Sequence, residues 1–176
     1  MNLEIAKSLK DLSPKQLIEI NQGFEFFWSG TFSQWKNSRF VEDGITFTSA
    51  EQYMMYHKAK LFSDLQIARQ ILAVSHPKEI KALGRKVKNF NENVWDEHKY
   101  EIVKRGNILK FSQNPRLKEE LMRTGNRILV EASPFDDIWG IKMGVDDPRI
   151  NNPINWRGQN LLGFALTEVR EILKGE

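Results

Sequence analysis

A helix is predicted to begin within the stretch Thr48-Ser49-Ala50-Glu51-Gln52-Tyr53-Met54-Met55-Tyr56-His57-Lys58-Ala59-Lys60. With about 3.6 residues per turn, Glu51, Met54 and Met55 share one side of this helix with Lys58. Two interpretations are open. Thr48-x-x-Glu51 fits a capping box, in which Glu51 only closes the start of the helix. An acid and an amine set in an apolar stripe are also the groups that a reaction site needs.

Outward from this stretch, the pattern of apolar residues predicts many helices and a few short strands. Strands are expected at residues 24–28, 45–47 and 128–130, and helices at 14–21, 48–62, 65–74, 77–87, 94–111, 115–124 and 160–174. No alternation of strand and helix typical of a parallel sheet is present. The fold class is therefore α+β and predominantly helical. We expect residues 1–22 to form an extension with a short helix packed on one compact domain of residues 23–176.

Length and composition narrow the possible functions. A chain of 176 residues without cysteine fits one domain and excludes disulfides and thiolate nucleophiles. Its three histidines, His57, His76 and His98, lack the spacing of metal ligands. No apolar run reaches the roughly 18 residues that span a bilayer, and the first residues do not resemble a signal peptide. We expect a cytoplasmic protein that needs neither a metal nor a membrane.

The charge distribution gives weak support for an anionic partner. The formal net charge is +3 and the pI is about 9.1. Five cations crowd one segment: Lys78, Lys81, Arg85, Lys86 and Lys88. Such a cluster is typical of a solvated helix surface, and it is also what binding to nucleic acid requires.

A long irregular stretch, residues 132–158, offers further polar and aromatic groups. Trp139 follows Asp136 and Asp137, so it could stack on a ligand or cover the core. The two aspartates could orient a ribose or a water, or could bind their own backbone in a turn. Gly158 and Asn160 then lead into the last helix, whose first N–H groups could hold a phosphate or a ribose hydroxyl.

These residues supply an acid, an amine and aromatic rings, which suit cleavage of an N-glycosidic bond. A carboxylate can stabilise an oxocarbenium-like centre or activate water. Alternatively, a lysine with a lowered pKa can attack the anomeric carbon and hold it as a Schiff base. Burial near Met54 and Met55 would lower the pKa of Lys58, whereas the Glu51 carboxylate would raise it. The sequence leaves the balance open.

An ordered series of short motifs resembles the NADAR family, also called YbiA-like. The series is Phe32-Ser33-Gln34-Trp35, Gly44, Thr48-x-x-Glu51-Gln52-Tyr53-Met54-Met55-x-x-Lys58-Ala59, Gly84-Arg85-x-Val87, Trp95, Arg105-Gly106-Asn107, Lys110-Phe111-Ser112-Gln113-Asn114, Thr124-Gly125, Leu129-Val130-Glu131-Ala132-Ser133-Pro134, Asp136, Trp139-Gly140-Ile141 and Gly158-x-Asn160-x-Leu162-Gly163. Each motif is weak alone, but their common order makes a chance match improbable. The resemblance runs from about Phe24 to Arg170.

The resemblance implies a compact YbiA-like α+β fold and an N-glycosidase without a cofactor. It implies that Glu51 and Lys58 are the reactive acid and amine, with Asp136 as a third catalytic residue that supports ribose or water. The residues implied in substrate binding are Ser33, Arg85, Trp95, Trp139, Gly140 and Asn160. One departure is clear: where the family commonly has Trp-Gly-Ile-Gly, this chain has Lys142 after Ile141.

The resemblance also implies two classes of substrate. One is ADP-ribose attached to the exocyclic amine of guanine in nucleic acid, which would link the protein functionally to an ADP-ribosyltransferase. The other comprises phosphoribosylamino-pyrimidine intermediates of riboflavin synthesis. The basic segment favours the first class. Two rivals are a non-catalytic ADP-ribose-binding module and a purely structural adaptor.

Overall fold

The computed structural model describes residues 8–175 and divides the chain into two compact units. Among the described residues, one unit comprises residues 8–33 and 119–175, and the other comprises residues 34–118. Residues 1–7 of the predicted N-terminal extension lie outside the described residues. Among the described residues the fold is predominantly helical with short strands, as the sequence predicts.

The first unit is built on a parallel strand pair covered by the last helix. β1 (Phe24–Phe27) pairs with β4 (Ile128–Glu131) in the register Phe24↔Ile128. α7 (Leu161–Lys174) packs on β4, and α1 (Pro14–Ile20) begins with a capping box made by Ser13 and Gln16. In the centre of the pair, Leu129 and Val130 of β4 are fully buried because β4 is apolar on both faces, whereas the paired Glu25 and Phe26 of β1 are partly exposed. β4 thus provides a fixed edge for the loop that follows it.

The second unit consists of a hairpin and helices that surround α2. β2 (Phe40–Glu42) and β3 (Ile45–Phe47) are antiparallel and joined by the two-residue turn Asp43-Gly44. α2 (Ala50–Leu61) packs against α3 (Leu65–Leu72), α4 (Pro77–Gly84) and α5 (Glu92–Ser112). The division between the two units falls within α6 (Pro115–Arg123), between residues 118 and 119.

Several predicted boundaries need correction. The sequence analysis missed β2, a three-residue strand that is defined by its pairing with β3. α3 ends at Leu72 rather than at residue 74, and α4 ends at Gly84 rather than at residue 87. Ends of helices are set by capping contacts and fray easily, which periodicity alone does not report.

Candidate functional site

The start of α2 differs from the predicted capping box. The N-cap is Ser49, whose hydroxyl accepts from the Gln52 N–H at 3.2 Å. Gln52 Oε1 in turn accepts from the Thr48 N–H at 2.8 Å, so Gln52 makes the return contact that the prediction gave to Glu51. The prediction of a box made by Thr48 and Glu51 was therefore wrong. Glu51 lies in the first turn of α2 with only 4% of its surface exposed.

Lys58 lies two turns along the same helix, half-buried among aromatic rings. Its Nζ is 4.3 Å from the ring centroid of Phe90 and 5.7 Å from that of Trp95. Burial lowers the pKa of the Lys58 amine, the Arg85 guanidinium lowers it further, and the Glu51 carboxylate opposes both. The net direction is downward, which answers the question that the sequence left open. A lowered pKa increases the fraction of free amine that can act as a nucleophile.

Three of the predicted residues thus act on one amine. Arg85 is the exposed C-cap of α4, and its charge acts on Lys58. Trp95 lies in the second turn of α5 and offers its ring to the same Nζ. Glu51 is buried and acts on Lys58 through its charge. The second unit therefore brings together Glu51, Lys58, Arg85 and Trp95.

A polar cluster that the sequence analysis missed fixes another side of α2. Glu42 accepts from Tyr53 Oη at 3.1 Å and from Arg105 Nε at 2.5 Å, both through Oε1, and its Oε2 lies 3.0 Å from His57 Nε2. Burial, together with the Arg105 and Lys60 charges, lowers the pKa of His57 against the opposing effect of Glu42. Because a carboxylate only accepts, His57 Nε2 donates to Glu42 Oε2. The motif series contains Tyr53 and Arg105 but neither Glu42 nor His57. It does not show that the four residues meet, because they come from β2, α2 and α5.

In the first unit, Asp136 builds the turn that carries Trp139. Asp136 Oδ1 accepts from the Ile138 N–H at 2.9 Å and from the Trp139 N–H at 2.7 Å. This is the turn-forming role that the sequence left as an alternative. Gly140 follows in a tight space: a Cβ there would lie 2.9 Å from the Glu131 carbonyl oxygen. The direct catalytic role of Asp136 and the binding roles of Trp139 and Gly140 stay predictions.

Asn160 is fully buried and ties the last helix to β4. Its Oδ1 accepts from the Glu131 N–H at 2.9 Å, and its Nδ2 donates to the Leu129 carbonyl at 3.1 Å. The first two N–H groups of α7, those of Leu161 and Leu162, donate to the carbonyls of residues 138 and 139 at 3.2 and 3.1 Å. The prediction that these groups could hold a phosphate was therefore wrong. Contact between Asn160 and a ligand stays a prediction, and its hydrogen bonds favour a structural role.

Ser33 and Lys142 occupy two further positions in the first unit. Ser33 follows the short 3₁₀ helix Gly30–Phe32, and its N–H donates to the Gly30 carbonyl at 3.2 Å. Lys142 adopts a left-handed backbone with φ of 52°, a conformation that glycine takes at little cost. Its Nζ pairs with Asp137 Oδ2 at 2.9 Å. The lysine thus keeps a glycine-like backbone and adds an exposed ion pair.

Residues 8–175 contain neither a metal-binding cluster nor a membrane-spanning helix. No group of three or more His, Cys, Asp or Glu side chains there is arranged to hold a metal ion. No helix in that part of the chain is long and apolar enough to cross a bilayer.

Comparison with known proteins identifies the family of this chain. The model of the NADAR domain matches residues 24–174, which span both units. This chain belongs to the NADAR family. N-glycosidase R617 of Acanthamoeba polyphaga mimivirus is 49% identical over 146 residues, which are 80% of this chain and 85% of that protein.

Two further relatives define the fold and the breadth of the family. The NMR structure of Escherichia coli YbiA matches with a TM-score of 0.71 and 28% identity, over 88% of this chain and 86% of that one. The predicted YbiA-like α+β fold is therefore confirmed. A maize protein named riboflavin biosynthesis protein PYRR, chloroplastic, is 34% identical over 140 residues, which are 76% of this chain and 21% of that protein.

Proposed function

We propose that this protein is an N-glycosidase that removes ADP-ribose from the exocyclic amine of guanine in nucleic acid. The observation that carries the proposal is the Lys58 amine, whose pKa is lowered among Phe90, Trp95 and Arg85 near the buried Glu51. Membership of the NADAR family and the name of the mimivirus relative support the N-glycosidase activity. The choice of guanine-linked ADP-ribose as substrate rests in addition on the basic segment of residues 78–88.

In the proposed reaction, the free Lys58 amine attacks ribose C1. The bond between C1 and the exocyclic nitrogen breaks, and that nitrogen takes a proton and leaves as the restored amine of the base. This displacement leaves a glycosylamine on the Lys58 nitrogen, which loses a proton. The C1–O4′ bond then breaks and O4′ takes a proton, so that the ribose ring opens to a Schiff base with Lys58. Water adds to C1 of this Schiff base, releases the sugar and regenerates the Lys58 amine. Glu51 carries the proton: its carboxylate accepts the proton that the Lys58 nitrogen loses after attack and gives it to the leaving nitrogen, and it later accepts a proton from the attacking water.

The basic segment supports nucleic acid as the carrier of the substrate. Its five cations, Lys78, Lys81, Arg85, Lys86 and Lys88, are all exposed. Exposed cations neutralise phosphates and supply affinity that does not depend on base sequence. The reaction that supplies such a substrate is the transfer of ADP-ribose to guanine, which is the basis of the proposed link to an ADP-ribosyltransferase.

A second candidate function is hydrolysis of phosphoribosylamino-pyrimidine intermediates of riboflavin synthesis. The similarity to the maize riboflavin biosynthesis protein PYRR favours it. In both substrates, ribose C1 is bonded to an exocyclic nitrogen on a heterocycle, so the same acid and amine serve either one.

The deciding experiment offers both substrates to the protein under the same conditions. DNA with ADP-ribosylated guanine and the riboflavin intermediate are incubated separately, and released ADP-ribose and ribose phosphate are quantified by mass spectrometry. We expect release of ADP-ribose, with a rate that falls as salt is raised because phosphate contacts are screened. Turnover of the small metabolite alone would select the second function.

Substitution of Glu51 separates an enzyme from a non-catalytic ADP-ribose-binding module. Because Ser49 and Gln52 cap α2, Glu51→Gln leaves the cap intact. We expect a folded variant that binds ADP-ribose and loses about 10²–10⁴-fold in kcat, the usual contribution of a positioned acid or base. Glu97→Gln, at an exposed position of α5, is the control. Wild-type turnover by Glu51→Gln would remove Glu51 from the mechanism.

The covalent step is tested by borohydride, which reduces a Schiff base to a stable adduct. We expect mass spectrometry to place a ribose-derived adduct on Lys58 when borohydride is added during turnover. Lys58→Arg should give no adduct, and Lys60→Arg, exposed on the same helix, should react like the wild type. An active enzyme that forms no adduct would indicate direct attack by water.

A further inference from the structure

Phe90 is an exposed aromatic residue beside the proposed nucleophile. Phe90 keeps 45% of its surface exposed. Lys58 Nζ nevertheless lies 4.3 Å from the centroid of its ring, and the ring centroids of Phe62 and Phe90 are 5.3 Å apart. Several other large apolar side chains are also exposed, so exposure by itself does not distinguish Phe90; its position beside Lys58 Nζ does. Neither the motif series nor the predicted site contains Phe90, so its position is a result of the tertiary structure.

The chain around Phe90 is held in place from several sides. Asp64 is buried, and its Oδ1 accepts from the Ile67 N–H at 3.1 Å while its Oδ2 accepts from the Lys88 N–H at 2.9 Å. These backbone hydrogen bonds lower the pKa of Asp64, so the carboxylate stays charged and fixes the connection from α4 to α5. Asn91 then caps α5 by accepting from the Val94 N–H at 3.1 Å. Because hydrogen bonds fix the backbone on both sides of Phe90, its ring is held in position for contact with a ligand.

The surroundings of Phe90 carry positive charge. Lys81, Arg85, Lys86 and Lys88 are exposed, and the sequence has no acidic residue from Ala82 to Asn91. Aromatic rings among exposed cations are typical of surfaces that stack bases and contact phosphates of single-stranded nucleic acid. This charge pattern matches an anionic nucleotide.

We propose that Phe90 is the stacking surface for the base whose exocyclic nitrogen is bonded to ribose C1. This inference rests on the proposed function. C1 must approach Lys58 Nζ to react, and the base is separated from C1 by one nitrogen only. Lys58 Nζ lies over one face of the Phe90 ring, 4.3 Å from its centroid. Stacked aromatic rings are commonly offset, with centroids about 4.5–7 Å apart, so a base offset on the exposed part of that same face has its edge beside Nζ. The adenine of ADP-ribose is separated from C1 by a diphosphate and a second ribose, and we assign it elsewhere.

The test measures base-dependent binding and needs no turnover. The probes are a fluorescein-labelled single strand of abasic sites with one central guanine, the same strand with an abasic site there as well, and ADP-ribose. Proteins are the wild type, Phe90→Leu, which keeps the apolar volume without a ring, and Phe90→Tyr, which keeps the ring. The wild type should prefer guanine to the abasic site by roughly 5- to 150-fold, the range of base stacking on an aromatic side chain.

Phe90→Leu should lose that preference, Phe90→Tyr should keep it within about 2-fold, and all three proteins should bind ADP-ribose alike. The inference is overturned if the wild type does not distinguish the two strands, if Phe90→Leu keeps the preference, or if Leu and Tyr lose it equally. It is also overturned if Phe90→Leu weakens ADP-ribose binding by the same factor, because the ring would then hold the adenine.

Failure of the proposed function has a different signature. If the wild type releases no ADP-ribose from modified DNA, the guanine-linked activity is refuted whatever the binding assay gives. If it does, Phe90→Leu should raise KM with little change in kcat, since a base that stacks equally in the ground and transition states contributes uniform binding. A fall in kcat at constant KM would contradict stacking of this kind.

Discussion

Replacing Glu42 with alanine tests the polar cluster that holds α2, the helix of Glu51 and Lys58. The carboxylate is 8% exposed and accepts hydrogen bonds from Tyr53 and Arg105, with His57 Nε2 3.0 Å from Oε2. Burial and the nearby Glu42 raise the pKa of Tyr53, so its hydroxyl stays protonated and continues to donate. Glu42→Ala removes the acceptor of a buried donor.

The expected loss follows from the exposure of each partner. Tyr53 is 1% exposed, so its unpaired hydroxyl costs about 1–3 kcal/mol. The Arg105 side chain is 67% exposed, so its ion pair contributes only about 0–1 kcal/mol after screening by solvent. With about 1 kcal/mol for the neutral hydrogen bond from His57, the free energy of unfolding should fall by about 2–5 kcal/mol.

Urea unfolding followed by circular dichroism measures this loss, and a double-mutant cycle identifies its source. Tyr53→Phe alone should cost about 1 kcal/mol. Combined with Glu42→Ala, it removes the unpaired hydroxyl, so the double variant should lose less than the sum of the two single losses, by about 1 kcal/mol or more. Strict additivity, or a Glu42→Ala variant within about 0.5 kcal/mol of the wild type, would refute the reasoning.

Three further predictions concern packing and pH. Gly106→Ala should lower the free energy of unfolding by about 1–2 kcal/mol at an unchanged urea m-value, because a Cβ there would lie 2.5 Å from Tyr53 Cδ1; equal stability would contradict it. Lys110 is fully buried, and burial lowers its pKa to about 7. Since the unfolded chain binds that proton up to about pH 10, wild-type stability should rise between about pH 7 and 10, and Lys110→Met should remove this rise in urea titrations at several pH values. Arg85→Gln should raise the pKa of Lys58, so the ascending limb of kcat/KM against pH should move to higher pH. An unchanged limb would show that the Arg85 charge does not lower the pKa of Lys58.

The site residues predicted from the motifs differ in what they contact in the structure. The resemblance implied that Arg85 and Trp95 bind substrate, and the structure places both beside the Lys58 amine, which the motifs did not indicate. Asp136 and Asn160 instead bind backbone groups of their own loop and of β4. A motif records that a residue type is required at a position, and it does not distinguish a side chain that contacts a ligand from one that holds the loop.

Some features depended on contacts between distant parts of the chain. Phe90 has no signal in the sequence, because a ring in a polar connection is ordinary until Lys58 is placed beside it. The cluster around Glu42 likewise joins residues up to 63 positions apart. The N–H groups at the start of α7 could be judged free only while the carbonyls of residues 138 and 139 were unplaced.

The sequence by itself determined the helix-rich α+β class, the strands β1, β3 and β4, and the acid and amine on α2. Apolar periodicity, capping residues and turn residues act over a few neighbouring positions, so they can be recognised from the sequence alone. Tertiary structure decided that Gln52 rather than Glu51 closes the start of α2. It also decided that the pKa of Lys58 is lowered, because burial and the Arg85 charge together outweigh Glu51. Both outcomes depend on which groups surround a side chain in space, and only the folded chain sets those distances.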